Sequence, residues 1–170
     1  MSVTYRLATR ADDQALAAVG RLCFAETFGP HFAPDDMALH LDRSFGPGGL
    51  PADLDDPACR VWMTEADGEI AGYLKLMPMG LPVDHPTGSL EIRQLYILTP
   101  WQGAGIAAAL MDWAIGAARE RGAPALFLSV WEKGARAIAF YRKHGFEIAG
   151  SAPFTLGASV MIDPVMRRDL

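Results

Sequence analysis

The stretch from Leu90 to Ala107 sets a strand, a glycine-bearing loop and a helix one after another, and few folds accept that order at this spacing. Leu90 to Leu98 is apolar and β-branched enough for a strand, Pro100 marks a turn, and Gly103 and Gly105 follow. Ile106, Leu110, Trp113, Ala114, Ala117 and Ala118 then recur at helical spacing on one face. A junction of this kind is an anion site. Glycines let a ligand approach the backbone, and the first-turn N–H groups have no partner within the helix. A phosphate-bearing ligand is therefore expected here. The strand also carries an irregularity. Leu90 and Ile92 share one parity and Leu95 and Ile97 the other, so a bulge near Arg93-Gln94 is expected, although Tyr96 and Leu98 keep the first parity.

The flanking chain predicts an α/β fold. Val3, Tyr5 and Leu7 alternate as a half-buried strand, and Leu16, Val19, Leu22 and Cys23 form a helical stripe ending near Gly29-Pro30. Pro34-Asp35-Asp36 opens a second helix bearing Met37, Leu41 and Phe45, and Gly46 to Pro57 reads as loop. Apolar runs at Arg60 to Ala66 and Glu69 to Met77 flank Asp67-Gly68, the signature of a two-residue hairpin. A proline-rich loop, Pro78 to Gly88, leads into the opening stretch. The helix that follows runs to about Arg121-Gly122. Ala125 to Trp131 is a continuous apolar run suited to a buried strand parallel to the opening one. A short helix from Gly134 to His144 precedes two short closing strands, Phe146 to Ala149 and Val160 to Arg167, with Pro164 consigning the last to a sheet edge.

At 170 residues the chain suits one domain spanning the whole length. A formal net charge of −5 offers no support for a nucleic-acid partner and is compatible with a cationic substrate. No apolar run is long enough to span a membrane, and Met1 to Thr9 lacks an apolar core of signal-peptide type, so a cytoplasmic location is expected. Cys23 and Cys59 have no metal-ligand spacing and read as buried free thiols; no metal is expected. The four histidines are scattered without partner spacing.

Three phosphate-binding patterns compete for the loop. A P-loop needs a closing Gly-Lys-Ser/Thr, and no lysine lies between Lys75 and Lys133. Gly103-Ala104-Gly105-Ile106-Ala107-Ala108 does match the dinucleotide fingerprint, but too little chain follows Glu132 for the further βα units that fold needs. The third pattern is Gln102-Gly103-Ala104-Gly105-Ile106-Ala107, which resembles the Q/R-x-x-G-x-G/A signature of the GNAT superfamily of N-acetyltransferases. Leu95-Tyr96-Ile97 precedes it at the family's distance, and Ala137-Ile138-Ala139-Phe140-Tyr141 through Gly145-Phe146 is similar to the family's downstream A-I-x-x-Y-x-x-x-G-F segment. Val130-Trp131-Glu132-Lys133, Phe154-Thr155-Leu156-Gly157, Glu26-Thr27-Phe28 and Pro34 to Met37 further resemble bacterial PaiA-type spermidine/spermine N-acetyltransferases. Two departures stand out: Gly134 replaces a frequent asparagine, and Ala158-Ser159-Val160-Met161 replaces acidic and polar residues.

The resemblance implies a mixed central sheet, antiparallel in its N-terminal half, with a parallel pair around a slot for acetyl-CoA, flanked by helices. It implies that Gln102, Gly103, Ala104, Gly105, Ile106 and Ala107 hold the pyrophosphate. The main chain of Leu95, Tyr96 and Ile97 would then supply the pantetheine edge and an oxyanion donor, with Gly134 and Arg136 nearby on the cofactor side. Lys133, Arg136 and Arg142 are either 3′-phosphate contacts or a solvated basic face. A primary amine of pKa about 10.4 is neutral in roughly one molecule in a thousand at pH 7, so a base is needed. Glu91 is either that base or a solvated strand-end carboxylate, and Tyr141 either the acid for the departing thiolate or a core aromatic. Glu26, Asp35 and Asp36 would line a cationic amine's path or merely cap helices. The implied activity is direct acetyl transfer to a small amine, with polyamines first. Protein N-termini, other small amines and a non-catalytic acyl-CoA sensor are the alternatives, and a homodimer through C-terminal edge strands is possible.

Overall fold

A computed structural model describes all residues from Met1 to Leu170. Strand β1 (Val3–Leu7) is followed by helices α1 (Asp13–Phe28), α2 (Pro34–Phe45) and the single turn α3 (Leu50–Asp53). Next come β2 (Arg60–Ala66), β3 (Glu69–Pro78), β4 (Leu90–Ile97), α4 (Ile106–Glu120), β5 (Ala125–Ser129), α5 (Ala135–Lys143), β6 (Glu147–Leu156) and β7 (Ser159–Asp169). The seven strands form one sheet in the order β1-β2-β3-β4-β5-β7-β6. Every neighbouring pair is antiparallel except β4 and β5.

Local chemistry accounts for most of these elements. Asp67 and Gly68 take positive φ of 52° and 85°, the geometry a two-residue hairpin needs to match the twist of its strands. In β4 the register against β3 passes from Gln94 opposite Lys75 to Ile92 opposite Leu76, leaving Arg93 as the extra residue of a bulge. That bulge resolves the parity conflict. Leu90 and Ile92 before it, and Leu95 and Ile97 after it, all face the same apolar cluster.

The sheet separates two cores. On one face α4 packs Ile106, Leu110, Met111, Ala114 and Ala118 against Leu74, Leu76 and Leu126, with the Trp62 and Trp113 rings stacked at 4.8 Å. Leu110 is fully buried, and cutting such a residue to alanine costs about 2–5 kcal/mol. On the other face α1 and α2 bury Leu16, Phe24, Met37 and Phe45 against Met63 and Tyr73. A smaller cluster of Ala125, Phe127, Ala152 and Val165 extends that second face beneath Met79, Leu81 and Val83 of the proline-rich loop.

The C-terminal third departs from expectation. β7 is an interior strand between β5 and β6, and β6 is the edge. Both are longer than predicted, because Pro153, Pro164 and Gly150 break the apolar alternation without breaking the pairing. Pro164 is tolerated because its carbonyl, and hence its missing N–H, points toward β5 where that strand has ended. The carbonyl accepts from Val130 N–H at 3.0 Å while Asp163 and Val165 continue the pairing with β6. β5 stops at Ser129 rather than Trp131, and the expected loop before β2 contains the α3 turn. No helix is long and apolar enough to cross a membrane.

Candidate active site

The sheet opens where the parallel pair parts. β4 and β5 are paired only at Leu90–Leu126 and Glu91–Phe127, after which the bulge at Arg93 carries β4 away and leaves a cleft of about 1030 Å³. Leu98 N–H donates to Ala71 on β3, so in an alternating ladder Tyr96 also turns its main-chain groups to β3. Leu95 and Ile97 therefore present theirs to the cleft, and the Ile97 carbonyl there accepts from the Gln102 amide at 3.1 Å. Of the three residues expected at a pantetheine edge, Leu95 and Ile97 thus turn their main-chain groups to the cleft, whereas Tyr96 turns its own to β3 and lines the wall.

The glycine loop closes one end of the cleft. Gly103 and Gly105 adopt φ of 80° and 83°, and Gly105 is the residue before the first turn of α4. A Cβ placed on either would meet nothing within 4 Å, so what demands glycine at these positions is backbone conformation, not crowding. The N–H groups from Gly103 to Ala108 donate to no carbonyl of the chain; the first such bond comes from Ala109. They converge at the positive end of the α4 dipole, which is what a pyrophosphate needs. Of the expected loop residues, Gln102, Gly103, Gly105, Ile106 and Ala107 line the cleft and Ala104 does not. Across the gap, Gly134 and Arg136 at the start of α5 line it too, whereas Lys133 and Arg142 do not. The groove thus offers backbone donors and a guanidinium to phosphates and an unpaired strand edge to an amide-bearing arm. Acetyl-CoA fits this donor set, and no group of acidic, histidine or cysteine side chains is arranged to hold a metal.

Tyr141 enters from α5. Its ring packs edge-on against Phe140 and Phe146 at 5.5 and 6.0 Å, its hydroxyl makes no hydrogen bond within the chain, and it lines the cleft. Burial pushes its phenol up to about 12, so it is protonated throughout the physiological range.

Glu91 is neither solvated nor free. Its side chain is only 2% exposed; Oε2 meets Arg93 Nε at 2.6 Å, and Oε1 accepts from Gly80 N–H at 3.1 Å. The extra residue of the bulge thus neutralises the carboxylate one turn of the pleat away. Gln94 accepts from the Tyr73 hydroxyl at 2.9 Å, which anchors the strand beside the cleft.

The face of the cleft toward α1 is aromatic. Phe28 stands edge-on to Trp131 at 5.3 Å, and Phe24, Phe154 and His40 pack against one another, with Phe24 stacked on His40 at 4.4 Å and Phe154 edge-on to it at 5.6 Å. Glu26 lies at the rim and accepts from the Thr99 hydroxyl at 3.0 Å. Asp35 and Asp36 do not reach the cleft. They occupy the first turn of α2, where the Asp36 carboxylate sits beneath the Gly157 turn. Cys23 lines the cleft wall and burial pushes its thiol up to about 12, so it is no thiolate nucleophile; Cys59 is half-buried and its thiol is pushed to about 11, also chiefly by burial.

One carboxylate escaped the sequence reading. Asp163 of β7 lines the cleft at 6% exposure, and the only hydrogen bond to its carboxylate is from Glu132 N–H to Oδ1 at 3.3 Å. The available signal was its place in the alternation Met161, Asp163, Val165, which sets an acid on the buried parity of a strand.

Comparison with known proteins agrees with this geometry. Residues 22–146 match the model of the acetyltransferase (GNAT) family. An uncharacterized N-acetyltransferase of Mycobacterium bovis is 35% identical over 159 residues, covering 94% of this chain and 98% of the relative. One from Lactobacillus delbrueckii subsp. lactis is 33% identical over 156 residues, covering 90% and 89%. Among solved structures, the PaiA N-acetyltransferase of Thermoplasma acidophilum, in complex with coenzyme A, superposes with a TM-score of 0.81 over 100% of both chains at 18% identity. The ribosomal-protein-alanine N-acetyltransferase of Brucella melitensis gives 0.70 at 24% identity, covering 98% and 99%. By these matches the chain belongs to the GNAT family as an acetyl-CoA-dependent N-acetyltransferase.

Proposed function

We propose that the protein acetylates a small primary amine that enters from the α1 side of the sheet, with linear polyamines of the spermidine type the first class to test. The observation that carries the reading is the two-sided cleft. Phosphate-binding groups lie at the α4 and α5 side, and the opposite side offers aromatic walls with carboxylates at the rim and within. An ammonium is attracted to both kinds of wall.

Acetyl-CoA supplies an activated acyl group. The chain's contribution is to hold it along Leu95 and Ile97 by main-chain bonds, with the cleft-facing N–H of Leu95 available to the thioester oxygen. Tyr141 supplies the proton for the leaving thiolate. A phenol near 12 lies roughly three units above an ordinary thiol. Transfer to a free thiolate is therefore uphill, and the proton moves in concert with cleavage of the C–S bond.

A second reading has its own observation. Asp35 and Asp36, the extra acids a polycation would use, stand outside the cleft, while Phe28, Trp131 and Phe154 wall it. These walls favour a monoamine with an aromatic or apolar body. Thiol release from acetyl-CoA with spermidine, spermine, 2-phenylethylamine and N-terminal peptides decides between them. Turnover with at least one amine is expected. Acetyl-CoA binding without turnover on any of them overturns the proposal and identifies an acyl-CoA-binding sensor.

A further inference from the structure

We infer that Asp163 is the carboxylate that anchors the acceptor amine and takes its proton, a role resting on the acetyl-transfer reading above. The placement comes from the register. Pro164 accepts from Val130 N–H, so Asp163 lies just beyond the end of β5, beside the widening gap between β5 and β4. Asp163 shares its strand face with Val165, which packs with Phe127, and Phe127 lies opposite Glu91. Asp163 therefore projects from the aromatic face of the sheet, on the side opposite α4, and lines the cleft together with Phe154 and Trp131.

Its bonding leaves it free to act. Oδ1 accepts from Glu132 N–H, while Oδ2 has no partner; since no fully buried side-chain oxygen in the protein lacks one, Oδ2 keeps surface, and the surface it reaches is the cleft. Glu91 cannot do the same work, with both oxygens held by Arg93 and Gly80. The charged groups around Asp163 are few. Glu132, on the loop after β5, acts on it; Ala152, Pro153 and Phe154 of β6 carry no charge; the Glu91–Arg93 pair and Arg136 share the cleft wall. Burial raises the carboxyl above its ordinary range; the bond from Glu132 N–H opposes that shift and the Glu132 charge gives a smaller push upward.

The proton count closes. The substrate ammonium gives one proton to Asp163 and becomes a neutral amine. Its nitrogen attacks the thioester carbon, the C–N bond forms and the C–S bond breaks. The thiolate takes the Tyr141 proton, the second nitrogen proton restores Tyr141 by way of solvent, and Asp163 releases the proton it took to solvent. Products are the amide, the free thiol and one net proton.

The test compares the wild type with Asp163→Asn and Asp163→Glu, each checked for acetyl-CoA affinity and melting temperature. Asparagine keeps the Glu132 N–H acceptor and the volume, so folding and cofactor affinity are expected to hold. Asp163→Asn should lower kcat/KM for the amine by about 10²-fold or more and remove the acidic limb of its pH profile, with partial recovery in Asp163→Glu. Calorimetric binding of spermidine and 2-phenylethylamine to the CoA-loaded protein gives a readout independent of turnover, and the asparagine variant should bind at least tenfold more weakly. Wild-type values of kcat/KM, pH profile and amine binding in Asp163→Asn overturn the role of Asp163 while leaving acetyl transfer standing. A wild type that neither turns over nor binds either amine overturns both.

Discussion

Replacing Tyr141 with phenylalanine isolates one hydroxyl group. That hydroxyl makes no hydrogen bond within the chain, while the ring is held edge-on by Phe140 and Phe146. Removing it leaves no donor or acceptor orphaned, so the melting temperature should move by no more than a degree or two. Affinity for acetyl-CoA should hold, because the loop N–H groups and the β4 edge are untouched. Turnover should fall by about 10²–10⁴, equivalent to about 2.7–5.4 kcal/mol of barrier. The pH profile adds a check. With its phenol near 12, Tyr141 is protonated at every pH where the assay is practical, so no alkaline limb below about pH 11 belongs to it. Steady-state thiol release, calorimetry with CoA and a thermal melt together read all three quantities. Unchanged turnover removes Tyr141 from the chemistry. Lost turnover with a melting temperature lowered by many degrees assigns it to the core instead.

Other consequences follow from the same geometry. Gly105→Ala forces a left-handed φ of 83° on a residue with a Cβ, costing about 1–2 kcal/mol of stability, and should weaken CoA binding by at least tenfold in calorimetry. Arg93→Ala strands the Glu91 carboxylate, which is 2% exposed; chemical denaturation should show a loss of about 3 kcal/mol, at the low end for buried pairs because Arg93 is half exposed, and Arg93→Lys should restore part of it. Arg6 holds Asp12 down to about 2, and desolvation opposes it. The unfolded chain therefore binds the proton first as pH falls, and stability present above about pH 4 is lost between there and pH 2. Arg6→Met should cost about 1 kcal/mol at pH 7, allowing for screening at the exposed guanidinium, and nothing at pH 2.

What was legible in the sequence was what neighbours in the chain decide. Asp67-Gly68 fixes a hairpin by its own backbone preference, and the Leu90/Ile92 against Leu95/Ile97 parity break announces a bulge because side chains must return to one face. The glycine loop and the Tyr141 segment were legible for the same reason, each being a short run with its chemistry inside it. Pairing between distant segments was not. Whether β7 lies at an edge depends on β5 ending at Ser129, which nothing near Pro164 in sequence reveals. The carboxylates show the same limit. Asp35 and Asp36 advertise themselves as an acidic pair but spend their charge on a helix turn, whereas Asp163, alone between Pro164 and Ile162, reaches the cleft through the sheet order. Glu91 was expected to be a base or a solvated acid, whereas Arg93, two residues on and on the same strand face, pairs with it.

The central claim is that the gap between β4 and β5 is an acetyl-CoA slot. A crystal structure of the protein with CoA tests it most directly. The account predicts the pyrophosphate against the N–H groups of Gly103 to Ala108, the pantetheine arm bonded to the main chain of Leu95 and Ile97, and the sulfur facing Tyr141. CoA bound elsewhere, or an arm running along another strand edge with its sulfur remote from Tyr141, contradicts it.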